Sequence, residues 1–263
     1  MPNYLCIGVP YFLGERIDGR DEVDLLKASG IADDIGAEWI DLQPDFADDI
    51  DPVIAVNRAL SDIIANNPDK VPVVFACDCT SSFGMMKGLE AQSPALLWYD
   101  AHGDFNTHAT TPSGFLGGMP LAMLVGRGQM TYMDGVDLKP MAESDIIITD
   151  ARDLDPEEGQ MLADSDLTHY TEVETLLTAE LPKKPIYIHF DTDVVDITEM
   201  PGMNYPAPNG PTLDEANATL QRVAKDGEIA GILFSLWDNR HDTDGKSLAA
   251  VLQLTRDFVA ANT

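Results

Sequence analysis

Seven short runs of apolar residues, rich in β-branched and aromatic side chains, recur along the chain at 4–9, 39–42, 71–76, 95–99, 146–149, 186–190 and 229–236. A run this short and apolar throughout offers no polar face to water, so it reads as a strand covered on both sides. Between the runs lie helical candidates at 21–35, 52–66, 82–90, 156–163, 173–181, 213–225 and 247–261. Strands that alternate with helices pair in parallel, and the helices then pack on both faces of the sheet. The expected fold is α/β, three layers in α/β/α order around a mostly parallel central sheet. No repeat, low-complexity tract or Gly/Ser linker divides the sequence, so residues 1–263 read as a single domain. Ligands bind such sheets beyond the carboxyl ends of the strands.

Two strand ends carry chemistry. Ala95-Leu96-Leu97-Trp98-Tyr99 runs into Asp100-Ala101-His102-Gly103-Asp104-Phe105-Asn106-Thr107. Asp100, His102 and Asp104 stand two apart and share a face while the backbone stays extended. The strand Ile186-Tyr187-Ile188-His189-Phe190 likewise ends in Asp191-Thr192-Asp193. Side by side, these ends would converge four carboxylates and an imidazole. Like charge and burial oppose ionisation of so many acids together, and divalent cations resolve that conflict. Carboxylates with one imidazole suit a harder ion such as Mn²⁺ better than a structural zinc site. The competing reading is a set of solvated strand-end carboxylates.

The first block, continued by Thr110-Thr111-Pro112-Ser113-Gly114-Phe115-Leu116-Gly117-Gly118-Met119-Pro120, resembles the central block of the ureohydrolases, the family of arginase, agmatinase and their relatives. His189-Phe190-Asp191-Thr192-Asp193-Val194-Val195-Asp196 is similar to that family's second metal block. The resemblance implies an arginase-like fold and an enzyme holding two Mn²⁺ that hydrolyses a guanidino group to urea and an amine. It implies Asp100, Asp104 and Asp191 as ligands of one ion, and Asp100, His102, Asp191 and Asp193 of the other. Asp104 would also orient a metal-bridging hydroxide. Asn106 and Ser113 match residues that hold the substrate's α-carboxylate end. Asp155 and Glu158 match the pair near its α-amino group, although Asp155 with Glu158 three residues on is equally a helix cap.

The chain also departs from the family pattern. Cys79, in Ala76-Cys77-Asp78-Cys79-Thr80, stands where the family has a ligand histidine. It reads either as a metal ligand, with sulfur less suited to Mn²⁺ than to softer ions, or as a buried inert cysteine. A similar cysteine marks the hydroxyarginine hydrolase branch. Gly117 stands where arginase has a proton-shuttling histidine, which implies free room in the site. Leu236 aligns with the glutamate that pairs with the guanidinium. Asp238, two residues on, would point to the same side of an extended strand and replace that carboxylate, or else sit in a surface turn. The loop holding Pro201-Gly202 and Pro206-Ala207-Pro208-Asn209-Gly210-Pro211 would wall the pocket or merely connect.

Charge narrows the partners. With 45 acidic against 16 basic residues the formal net charge is −29, which disfavours nucleic acid and anionic membrane and favours a cationic ligand; salt adaptation or solubility accounts for the same excess. The chain has no apolar run of membrane-spanning length, its first residues lack a basic secretory region, and its cysteines, Cys6, Cys77 and Cys79, are too few for a disulfide framework. A cytoplasmic protein is expected, and by family analogy a homo-oligomer. The leading function is an amidinohydrolase of an arginine-type side chain, free, N-hydroxylated or within a peptide, as in the peptide arginases. Hydrolysis of another amidine such as agmatine or formiminoglutamate, and a metal-binding homologue without catalysis, are the alternatives.

Overall fold

Eight strands lie side by side in one parallel sheet in the computed structural model, which describes residues 2–263. They are β1 (Asn3–Val9), β2 (Glu38–Asp41), β3 (Lys70–Ala76), β4 (Ala95–Asp100), β5 (Ile146–Asp150), β6 (Thr168–Tyr170), β7 (Ile186–Asp191) and β8 (Ile229–Ser235), in the spatial order β2-β1-β3-β8-β7-β4-β5-β6. The helices are α1 (Glu22–Ala28), α2 (Ile31–Asp34), α3 (Pro52–Ala65), α4 (Ser82–Gly88), α5 (Pro120–Leu124), α6 (Thr131–Gly135), α7 (Pro156–Ala163), α8 (Leu213–Asp226) and α9 (Lys246–Ala261).

Strand side chains alternate between two cores, as the pleat requires. Leu96 and Trp98 of β4 join a core with Leu60 of α3, Phe83 of α4 and Leu162 of α7. Leu97 and Tyr99 join the other, with Val23 of α1, Leu220 of α8 and Phe258 of α9. Two long helices start on caps that the sequence carries: the Asp51 carboxylate accepts the Val53 N–H at 2.9 Å ahead of Pro52, and Thr212 with Glu215 forms a reciprocal capping box.

Strand order explains where the site lies. The chain leaves β3 and re-enters the sheet at β4, with β8 and β7 later filling the gap between them. The carboxyl ends of four adjacent strands, Ala76, Ser235, Asp191 and Asp100, therefore stand along one edge of the sheet.

Local differences from expectation have physical causes. The helical stretch 21–35 breaks into α1 and α2 at Gly30, whose φ of 78° no helix contains. The stretch 173–181 makes only a short tight turn over Val173–Leu177, and Pro182 disfavours helical geometry at Leu181 before it. The edge strand β6 is three residues long, too short to show a period, and α5 and α6 were equally unforeseen.

Candidate metal centre and cavity

Loops after β3, β4, β7 and β8 enclose a cavity of about 570 Å³ lined by Cys79, Asp100, His102, Asp104, Asp191 and Asp193. Strand β4 delivers Asp100, which is buried; its Oδ2 accepts the Trp98 indole N–H at 3.0 Å and its Oδ1 the His102 backbone N–H at 2.7 Å. The extended backbone ends there. His102 and Asp104 lie in the following loop, and Asp104 adopts a left-handed φ of 47°, so the pair reaches the cavity by a turn and not by strand alternation. The His102 imidazole Nδ1 lies 3.0 Å from Asp193 Oδ2 and 3.4 Å from Asp100 Oδ1. Asp191, at the end of neighbouring β7, accepts the Asp193 N–H at 2.9 Å and the Cys79 thiol at 3.0 Å. The two acid blocks thus converge, with Cys79 beside them and its sulfur 3.3 Å from Ser235 Oγ.

The electrostatics of this cluster show why it suits cations. Burial and the neighbouring Asp193 push the Asp100 carboxyl up to about 7. Burial and adjacent carboxylates hold Asp104 and Asp191 well above the usual range. Burial would lower His102, but Asp193 and Asp100 outweigh it and raise the imidazole to about 12. Asp193 moves the other way: burial lifts it, and His102 more than offsets that. The Cys79 thiol is raised by burial and then by Asp104, Asp191 and Asp100. Two buried polar atoms in this neighbourhood have no partner, Asp104 Oδ2 and His189 Nε2. Carboxylates held protonated, with an orphaned acceptor among them, are a donor set that divalent ions complete. Cys79, Asp100, His189 and Asp191 each offer an atom within 4.8 Å of the others, and Asp100, His102 and Asp193 form a second such group.

Away from the acids, Asn106 is buried and donates to Asp155 Oδ2 at 3.0 Å. Ser113 is exposed on the cavity rim, its Oγ accepting the Phe115 N–H at 3.2 Å. Glu158 is buried and satisfied, accepting the N–H groups of Phe105 at 2.9 Å and of Asp155 at 3.1 Å. Its carboxylate oxygen would lie 2.7 Å from any Cβ at Gly103, so that glycine admits the buttress. Asp155 and Glu158 therefore serve as the start of α7 while still lining the cavity.

Two expectations are corrected. Asp238 is not among the residues lining the cavity. The strand ends at Ser235, and beyond it Leu236 faces the cavity while Asp238 turns into the protein, where Arg240 engages both carboxylate oxygens and Arg20 stands 3.8 Å away. Gly117 does not leave free room: a Cβ there would come within 2.3 Å of the Phe115 ring, which already occupies the space. Phe115 in turn contacts Phe12 and Tyr205, with ring centroids 6.2 and 5.0 Å apart, giving the mouth an aromatic rim.

Other contributors have no local signal. Arg152 pairs with Asp150 at 2.5 Å and donates to the carbonyls of Asp193, Val194, Ala207 and Pro208, tying down the loop after β7 that carries Met203, Asn204 and Tyr205 to the cavity wall. His189 lies within the second block, but its apolar neighbours disguise it as a core residue.

Carboxylates, an imidazole and a thiol gathered in a cavity at the strand ends of a parallel α/β/α sheet form a donor set suited to divalent metal ions. The chain belongs to the arginase family, whose model matches residues 32–260. It is 27% identical to an arginase of Brevibacillus brevis over 256 residues, covering 84% of this chain and 86% of that one. It is 26% identical to arginase-1 of Bos taurus over 263 residues, covering 86% and 82%. Among solved structures, arginase from Bacillus caldovelox superposes with a TM-score of 0.88 at 22% identity over 98% of both chains. Proclavaminate amidino hydrolase from Streptomyces clavuligerus superposes with a TM-score of 0.75 at 18% identity, covering 99% of this chain and 92% of that one. The protein is thus an arginase-family hydrolase acting on guanidino C–N bonds, in a family that depends on a binuclear metal centre. No helix among the described residues is long and apolar enough to cross a membrane.

Proposed function

We propose that residues 1–263 form one catalytic unit that hydrolyses the guanidino group of an arginine-type side chain, free, N-hydroxylated or within a peptide, to urea or hydroxyurea and ornithine. The observation that carries this reading is Asp104: a buried carboxylate whose Oδ2 has no partner and which shares the cavity with Asp100, His102, Asp191 and Asp193. Cys79, Asp100, Asp104, Asp191, His102 and Asp193 would hold two divalent ions, with Mn²⁺ favoured by the oxygen-rich donors. Bound there, the ions would supply Lewis acidity and a water acidic enough to attack at neutral pH.

The chain's own residues do the rest. Asp104 orients the attacking water through Oδ2 and takes its proton, which then passes to the departing amine. Asn106 and Ser113 face the substrate's far end from the buried floor and the exposed rim, with Asp155 beside Asn106. The cavity falls within the roughly 300–1,000 Å³ of small-molecule sites, and its aromatic mouth, where Tyr205 is half exposed, leaves room for a peptide to continue outward. The surplus of negative charge draws a guanidinium inward. We further propose a cytoplasmic location and a homo-oligomer.

Leu236 favours a second reading. It lines the cavity where the resemblance expects a carboxylate to pair with a guanidinium, and Asp238 is spent on Arg240, so hydrolysis of an amidine without a guanidino group, such as formiminoglutamate, stands as the alternative. Release of urea, or of hydroxyurea from the hydroxylated substrate, by the Mn²⁺-loaded protein from L-arginine, N-hydroxy-L-arginine, agmatine and an arginine-containing peptide separates these. Metal-dependent release from the arginine-type compounds, lost in Asp104→Asn, supports the proposal. Neither urea nor hydroxyurea from any of them, with two ions bound, overturns it and leaves another amidine or a homologue without catalysis.

A further inference from the structure

His189 is fully buried on β7, and its ring stacks on the Trp98 indole with centroids 3.5 Å apart and planes within 5°. Tyr187, His189 and Asp191 alternate along the strand and face the same side. One ring nitrogen, Nδ1, lies 3.3 Å from the Tyr187 hydroxyl, and the other, Nε2, has no partner. The unpartnered Nε2 offers a lone pair when the ring proton sits on Nδ1. A nitrogen of this ring, the Cys79 sulfur and oxygens of Asp100 and Asp191 all lie within 4.8 Å of one another. Donors that share one divalent ion at about 2.0–2.3 Å each stand no more than roughly 4.6 Å apart. The four groups are thus gathered to within about the span of one ion's shell, and a bound ion would draw them closer. A Tyr187 hydroxyl accepting the Nδ1 proton would fix the tautomer that leaves Nε2 free, the usual outer partner of a ligand histidine.

We propose that His189 is a metal ligand, and that with Cys79, Asp100 and Asp191 it forms a nitrogen-, sulfur- and oxygen-containing half-site selective for a borderline ion such as Zn²⁺ over Mn²⁺. Thiolate and imidazole favour zinc, whereas carboxylate favours manganese, so the two halves of the centre differ in preference. The second group, Asp100, His102 and Asp193, keeps a harder character, and Asp100 belongs to both. The inference rests on the two-ion reading but not on the choice of substrate.

The test loads metal-free protein with equimolar Zn²⁺ and Mn²⁺ and measures bound metal, then records the absorption of the Co²⁺-substituted protein. The expected result is one zinc and one manganese per chain, with a thiolate-to-cobalt charge-transfer band. His189→Phe keeps a ring against Trp98 but removes the donor, and should weaken zinc retention at least tenfold and shift the cobalt spectrum. Cys79→Ser should abolish the charge-transfer band. Zinc-edge X-ray absorption on the unmodified protein reads the same shell should a variant fail to fold: one sulfur and at least one imidazole are expected. Two manganese ions, or a zinc shell of oxygen alone, would overturn the inference while leaving urea release intact. A mixed shell without urea release would overturn the activity and leave the half-site standing.

Discussion

Metal removal should reverse the sign of this protein's response to acid. In the metal-free chain Asp100 takes up its proton near pH 7, whereas the unfolded chain does so near 3.8. The folded state therefore binds more protons between those values, and its stability rises as pH falls through 7. From pH 7 to 5 this one group contributes about 2–3 kcal/mol, at about 1.4 kcal/mol per pH unit. His102 acts in the same direction, because the folded imidazole stays protonated up to about 12 while the unfolded one releases its proton above 6.5. Asp104 and Asp191, also raised, add to the trend. Asp193 is lowered, so its opposing contribution is lost only as pH falls below the ordinary carboxylate value of 3.8, outside the window.

With an unfolding entropy of about 2.1 cal/mol/K per residue, the 263-residue chain gains roughly 5 °C in Tm from Asp100 alone. Calorimetry of chelator-treated protein at pH 7 and 5, beside the metal-loaded form, measures it. Repulsion among the surface acids is common to both forms and cancels in the difference. In the loaded protein protons compete with the ions, so Tm should fall over the same interval. Metal-free protein that loses stability on acidification in parallel with the loaded form would refute the reasoning.

Asp238→Asn weakens the hold on the Arg240 guanidinium and removes a charge 3.8 Å from Arg20, which keeps Glu22 at 2.6 Å, so Tm should fall only modestly; kcat/KM per folded molecule should be unchanged, and a selective rise in KM would instead return Asp238 to the substrate. Gly117→His drives a side chain into the Phe115 ring and should cost about 1–3 kcal/mol in denaturant unfolding, a loss that Phe115→Ala in the same chain should largely relieve. Arg152→Ala removes the donor to four loop carbonyls and should make the segment 196–211 the first site of limited proteolysis, at a cost of roughly 3 kcal/mol; an unchanged cleavage pattern would count against its tying role.

The sequence revealed what depends on neighbours along the chain. Strand runs and helix starts such as Pro52 and Leu213 depend on local sequence, and they appear where they were expected. The two acid blocks converge because β4 and β7 are adjacent, and Asp100 and Asp191 terminate paired strands. What escaped depends on contacts between distant segments. Asp238 has the spacing of a cavity residue, but spacing holds its direction only while the strand lasts, and β8 ends at Ser235. Phe115 fills the space beside Gly117 through an aromatic ring two residues back, a local contact that reading each position separately overlooked. His189 was visible as a letter, and only its burial against Trp98 and its unpartnered nitrogen distinguish it from a core histidine.

Departures at Cys79, Gly117 and Leu236 surround one cavity, yet the protein answers each differently. Near Cys79 a second potential donor, His189, stands within reach of the same carboxylates. At Gly117 an aromatic ring replaces a titratable one, which removes a proton carrier from that wall and adds apolar surface to the mouth. At Leu236 an apolar side chain faces inward, and the nearest candidate acid is committed to Arg240. The potential metal donors thus gather on one side of the cavity, while the wall at Leu236 and Phe115 is apolar and aromatic. That asymmetry favours a ligand whose guanidino group reaches the acid cluster while a bulkier body rests against Phe115 and Tyr205, which is why the peptide belongs in the first assay alongside free arginine.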